Sequence, residues 1–148
     1  MPTKRTPKKT RPRSSVAVQA AVAGAPSAVL LRRCALAAAR ARSAIALRIV
    51  GVSEARKLNR KYRAKDYATN VLSFRYSDGS GDIVLCHSVI RKESKQQRKS
   101  LRAHYAHLVV HGVLHLRGHD HLRGTDAARM ERAEIRILRR LGFADPYA

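Results

Sequence analysis

His111-Gly112-Val113-Leu114-His115-Leu116-Arg117-Gly118-His119-Asp120-His121 spaces three histidines as a metal-binding helix and return loop would. His111 and His115 are one helical turn apart, so their rings point the same way. Gly118 follows three residues later, where a helix end calls for a residue that can turn left-handed. The chain can then swing back and deliver His121. Three imidazoles fill three corners of a tetrahedron and leave the fourth for water, as in a catalytic rather than a structural zinc site. The expected cofactor is one zinc ion, ahead of iron, nickel or copper on ligand type.

The spacing matches the extended zinc-protease pattern H-E-x-x-H-x-x-G-x-x-H. That pattern needs Glu directly after the first histidine as general base. Gly112 stands there instead. The metal cradle is present and the protease base is missing.

Leu101–Leu116 is the predicted metal helix. At 3.6 residues per turn, His104, His107, His111 and His115 fall within about an 80° arc. His104 and His107 are expected in the core or behind the ligands, supporting them.

Composition bounds the rest. A chain of 148 residues that is 45% hydrophobic can bury one core. We expect a disordered basic arm at 1–13 and a single domain over 14–148. A formal charge of +21, from 31 basic and 10 acidic residues, exceeds what solubility requires and points to nucleic acid. Cys34 and Cys86 lie in no C-x-x-C pair, and two buried, reduced thiols in a cytoplasmic protein are expected. No window spans a membrane. The acid-free, arginine-rich start also fits a targeting segment, with Val16–Ala23 as a weak apolar run, but that run alternates like a strand.

In chain order, Ser15–Val22 alternates as a strand. Pro26 opens a helix with Leu30, Cys34, Ala37 and Ala41 on one face. Ala44–Val52 is a second strand. Ser53 caps a helix with Ala55, Leu58 and Tyr62 inward. Asn70–Tyr76 is a third strand, Leu72 and Phe74 inward. After a turn at Ser77–Ser80, Asp82–Cys86 is a fourth. Val89–Lys99 is highly polar and reads as a frayed helix and loop. Thr125 caps a last helix with Met130, Ala133, Ile137 and Leu141 as its stripe, ended by Gly142. The order β-α-β-α-β-β-α-α predicts an α+β fold, a mixed four-stranded sheet backed by helices, with the metal site on a C-terminal helix and return loop.

Five blocks carry a resemblance. Leu58–Asp66, Thr69–Phe74, Gly81–Ile83, the histidine stretch and Asp145–Tyr147 together resemble the YbeY family, in the right order from about Ser53 onward. The resemblance implies a bacterial, single-strand-specific, zinc-dependent endoribonuclease of ribosomal RNA maturation and ribosome quality control. It implies His111, His115 and His121 as ligands, with Arg63 and His111 catalytic. Asp82, in the Gly81–Ile83 block, would orient a ligand or water, or bind a ribosomal protein. Ribosomal RNA or other single-stranded RNA is the expected substrate, and ribosomal or ribosome-associated proteins the expected partners.

The chain departs from the family where Ala64 replaces the usual Gly, Ala68 the usual Pro and His119 the usual Tyr. The loop between Phe74 and Gly81 is short. His119 offers the metal a rival imidazole. Two other readings compete with the nuclease. One is a non-catalytic ribosome-assembly factor stapled by zinc; the other is a zinc metalloprotease, which Gly112 and the charge disfavour.

Overall fold

A computed structural model of the chain describes residues 13–119 and 124–148. Strand β1 (Ser15–Ala20), helix α1 (Ala28–Ala38), strand β2 (Ala44–Val50), helix α2 (Val52–Arg63) and strands β3 (Val71–Ser77) and β4 (Ser80–Cys86) come first. Helices α3 (His87–Gln96), α4 (Leu101–Leu116) and α5 (Gly124–Arg140) follow. One sheet forms in the order β1-β2-β4-β3. β1, β2 and β4 are parallel, and β3 pairs antiparallel with β4 at the edge. This is the predicted α+β fold with its mixed four-stranded sheet, with α3 a full helix rather than a frayed one.

Alternation along the strands builds two cores. Ile45, Leu47 and Ile49 of β2 and Ile83 and Leu85 of β4 face a large core shared with α1, α4 and α5. Leu72, Val84 and Cys86 face a smaller core under Ala55 of α2, with Phe74 packed against it. Leu72 and Phe74 therefore point inward as predicted, but into the smaller core. α3 holds because Ile90 joins the large core and His87 and Ser94 are buried. One anchored face outweighs a polar composition.

Several local expectations shift. Ser27, not Pro26, starts α1, its hydroxyl accepting from the Leu30 amide at 3.2 Å. The buried stripe of α1 is Leu30, Leu31, Cys34, Ala35 and Ala38. Ala37 is exposed and Ala41 lies beyond the helix, because turning Leu31 inward buries more apolar area than turning Ala37 inward. Gly51 occupies the N-cap of α2 and Ser53 lies within its first turn. Tyr62 is exposed, while Asn59 is buried and donates to the Tyr67 carbonyl at 2.7 Å. α5 begins at Gly124, so Thr125 lies inside it. The basic arm at 1–13 falls, apart from Arg13, outside the described residues.

α4 is the central helix. Ten of its 16 residues are buried, so it is wrapped by protein on most sides rather than amphipathic. It presses close on the sheet at Gly112. A Cβ there would sit 3.1 Å from Ile83 Cγ2 and 3.2 Å from Ser73 Oγ. The glutamate of the protease pattern would have to push Ile83 and Ser73 aside at this position. The helix ends as predicted: Gly118 has φ +87°, its amide reaches the His115 carbonyl at 2.9 Å, and the His119 amide reaches Leu114 at 3.0 Å. This paired closure is a Schellman turn.

At the end of α2, Ala64 takes φ 57°, ψ 30°. A left-handed alanine costs about 1 kcal/mol relative to glycine, which accounts for the glycine usual in the resembling family. Ala64→Gly should stabilise the protein by about 0.5–1 kcal/mol. The check is the urea midpoint at unchanged slope; a midpoint at or below that of the wild type would mean that the left-handed turn carries no strain.

Candidate metal centre and cleft

The last two turns of α4 carry His111 and His115, half-buried, with their Nε2 atoms 3.1 Å apart. Two nitrogens bound to a tetrahedral zinc at 2.0–2.1 Å stand roughly 3.3 Å apart. The pair therefore fits a shared ion. His121, the expected third ligand, lies outside the described residues.

Glu134 stands behind this pair. It projects from α5 and is only 1% exposed. One carboxylate oxygen lies 3.3 Å from His111 Nδ1 and the other bonds His107 Nε2. The Tyr147 hydroxyl donates to both, at 3.1 and 3.0 Å. A carboxylate on the far nitrogen fixes the tautomer of a ligating histidine and leaves the other nitrogen for metal. Burial works to raise this carboxyl. The hydrogen bonds and charges of His107 and His111 outweigh it and hold the pKa at about 2. His107, His111 and Glu134 also offer ligand atoms within 4.8 Å of one another, so this end of α4 could hold a metal through that group as well.

A cleft of about 460 Å³ opens beside the histidines, between β3 and the end of α4. Arg63, Thr69, Ser73, Arg75, His111 and His115 are among its lining residues. Arg63 leaves the last turn of α2, donates to the Ser73 carbonyl at 3.0 Å and lies over the Phe74 ring at 5.5 Å. Arg75 adds a second guanidinium, held by Asp78 at 3.1 Å. Ser73 links β3 to α4 through the Gly112 carbonyl at 3.3 Å.

The remaining expected residues disperse. His107 bonds Glu134 behind the pair. His104 is buried, 3% exposed, with Nε2 3.0 Å from Glu93. His119 is not brought to the pair: it lines a separate recess of about 220 Å³ with Arg117, Asp126 and Arg129. Burial first, then Arg117, Arg129 and Arg40, pushes its imidazole below the usual range. Asp82 is not brought to the histidine pair. Strand alternation turns it to the α2 side of the sheet, where it accepts from the Tyr76 hydroxyl in a recess lined by Arg48, Tyr62 and Phe74.

Glu134, Tyr147, Ser73 and Arg75 are the site residues that sequence reasoning missed. Glu134 did leave a signal. It falls four residues after Met130 and three before Ile137, so an acid interrupts an apolar stripe. Tyr147 stood in the closing block of the resemblance without a role.

A family profile described as Endoribonuclease YbeY matches residues 16–142. Endoribonuclease YbeY of Aromatoleum aromaticum is 50% identical over 129 residues, covering 85% of this chain and 84% of the relative. That of Nitrosomonas eutropha is 54% identical over 125 residues, covering 82% and 89%. A solution structure from Thermotoga maritima superposes with a TM-score of 0.59 at 17% identity, over 89% of this chain and 98% of the other. That similarity supports the fold.

The Glu134 geometry predicts an acid-sensitive fold. A carboxyl held at about 2 against an ordinary 4.5 stabilises fully above pH 4.5, and the contribution is lost as pH falls through 2. The loss is on the order of 3 kcal/mol. Urea denaturation of metal-stripped protein between pH 6 and pH 2 should show it, and Glu134→Gln should flatten the dependence. Equal acid slopes in the two proteins would remove Glu134 as the cause.

Proposed function

This chain belongs to the YbeY endoribonuclease family, and we propose that it is a zinc-dependent, single-strand-specific endoribonuclease of ribosomal RNA maturation and ribosome quality control. The observation that carries this reading is the 3.1 Å pairing of the His111 and His115 Nε2 atoms in the same cleft as Arg63. His111, His115 and, from the return loop, His121 would hold one zinc ion. We favour this set over His107, His111 and Glu134, because Glu134 is sealed from solvent and already engaged by three partners.

Zinc would supply Lewis-acid polarisation of a phosphoryl oxygen and a coordinated water of lowered pKa. The chain's own residues do the rest. Glu134 holds His111 by Nδ1 and so presents Nε2 to the cleft. Arg63 offers phosphate a planar fork of donors, which suits charge developing on its oxygens. Arg75 places a second cation along the same wall. Gly112 leaves no general base where a protease needs one, which argues against the metalloprotease. A cleft open beside the ligands favours catalysis over a purely structural staple. Asp82, on the opposite face of the sheet, is free of metal duties and suits contact with a ribosomal protein. The two buried free cysteines suit the cytoplasm.

About one zinc per chain is expected. His111→Ala, His115→Ala and His121→Ala should each release it and abolish cleavage of single-stranded RNA. Elemental analysis beside the cleavage assay decides the set: if His121→Ala keeps full zinc while His119→Ala loses it, the loop ligand is His119.

Arg63→Ala should slow single-turnover cleavage of single-stranded RNA about a hundredfold, roughly 3 kcal/mol, with zinc content and melting temperature unchanged. Arg63→Lys separates charge from fork: near-wild-type cleavage would mean that charge suffices. An alanine variant as fast as the wild type would exclude Arg63 from catalysis.

A further inference from the structure

The outer face of α5 carries Arg129, Arg132, Arg136, Arg139 and Arg140, all exposed. At 100° per residue the five fall within about a 100° arc, and along the axis they extend about 16 Å. The buried face, with Met130, Glu134 and Ile137, points the other way. Among the described residues none of the five forms an ion pair or a side-chain hydrogen bond. The nearby acids of α5, Asp126 and Glu131, form no ion pair with the five among the described residues, although Asp126 lines a recess with Arg129.

Several features set this ridge apart from a solvated helix face. Such a face mixes signs, whereas this stripe is of one sign. α5 holds no lysine, and arginine is the cation that grips phosphate with a fork of donors. Five like charges on neighbouring turns repel one another and weaken the helix, a cost that a bound polyanion removes. Arg132, Arg136, Arg139 and Arg140 surround the half-buried Ile135 in a shallow recess of about 480 Å³. At the other end, Arg129 lines a recess with Arg117, His119 and Asp126. The stripe therefore begins near the end of α4, at Arg117 and His119, yet none of its members lines the cleft.

We propose that the arginine ridge of α5 is a second contact surface for the RNA, gripping the phosphate backbone of the strand or stem that flanks the nucleotides held in the cleft. The proposal rests on the reading that RNA is the substrate. It assigns the ridge to affinity and alignment, leaving the chemistry to the cleft.

The test compares two triple variants that lose the same charge. R132Q/R136Q/R139Q removes the centre of the ridge and keeps its aliphatic stems. R91Q/K92Q/K95Q removes three exposed cations from α3. Binding of a fluorescein-labelled oligouridylate and of an RNA hairpin with a single-stranded tail is followed by anisotropy over a range of salt. Each lost phosphate contact lowers the log–log salt slope by roughly 0.7, so the ridge variant should lose about 2, with the α3 variant close to wild type. Cleavage by the ridge variant at saturating RNA should keep its wild-type rate while KM rises. Equal slope losses in the two variants would reduce the ridge to net charge and overturn the proposal, as would no loss in either. Polyglutamate of matched charge displacing the RNA as well as unlabelled RNA does would mean that the ridge takes any polyanion, and would overturn it too. Should the triple variant not fold, R136E carries the same test at one exposed position. Because the slope is read without turnover, a chain that binds RNA through the ridge but cleaves none refutes the nuclease reading and leaves this one standing.

Discussion

A buried helix that carries four imidazoles needs a polar partner for each of them. That constraint organises the molecule around α4. An unpaired polar group in the interior costs about 1–3 kcal/mol, so neighbouring elements must supply acceptors. α3 brings Glu93 to His104 and α5 brings Glu134 to His107 and His111. The last residues of the chain close over the second cluster through Tyr147. Glu93 also receives the Asn70 amide at 3.0 Å, and Asn70 leads into β3, the wall of the cleft. One set of hydrogen bonds thus ties three helices, the edge strand and the histidine pair into fixed relation.

Scarce acids are placed where they build structure. Besides Glu93 and Glu134, Asp66 pairs Arg56 at 2.8 Å, and Asp78 joins Arg40 and Arg75. Exposed pairs of this kind contribute little stability each; their effect here is to fix Arg75 and the turn at the end of β3. Beside these paired cations, the ridge of α5 carries a row of exposed arginines with no ion pair among the described residues. A strongly positive chain can thus have a neutralised interior and an uncompensated surface, the distribution expected of a protein whose partner is a polyanion.

The histidine spacing could serve different chemistries. The helix pair, glycine and return loop are shared with zinc proteases, but the residue after the first histidine faces the sheet. A side chain there would press on Ile83 and Ser73, with its Cβ 3.1 Å from Ile83 Cγ2. The loss of a general base and the close seating of α4 on the sheet are one fact seen from chemistry and from packing. The cationic wall formed by Arg63 and Arg75 suits a phosphodiester better than a peptide.

Periodicity determined much of this protein. Strand alternation in Ala44–Val50, the full extent of Leu101–Leu116 and the left-handed turn at Gly118 are local properties, set by side-chain spacing and backbone sterics within a few residues. So is the aim of His111 and His115 to one side of their helix. Where two faces of an element compete, local pattern loses force, as Ala37 and Tyr62 show. Only tertiary structure decided the rest. Glu134 meets His111 because α5 packs on α4, and Arg63 enters the cleft because α2 ends beside β3. Asp82 leaves the site because β4 turns it to the other face of the sheet. Such contacts join separate elements, Glu134 to His111 across 23 positions and Arg63 to Ser73 across 10, and no periodicity within one element records which of its neighbours will arrive.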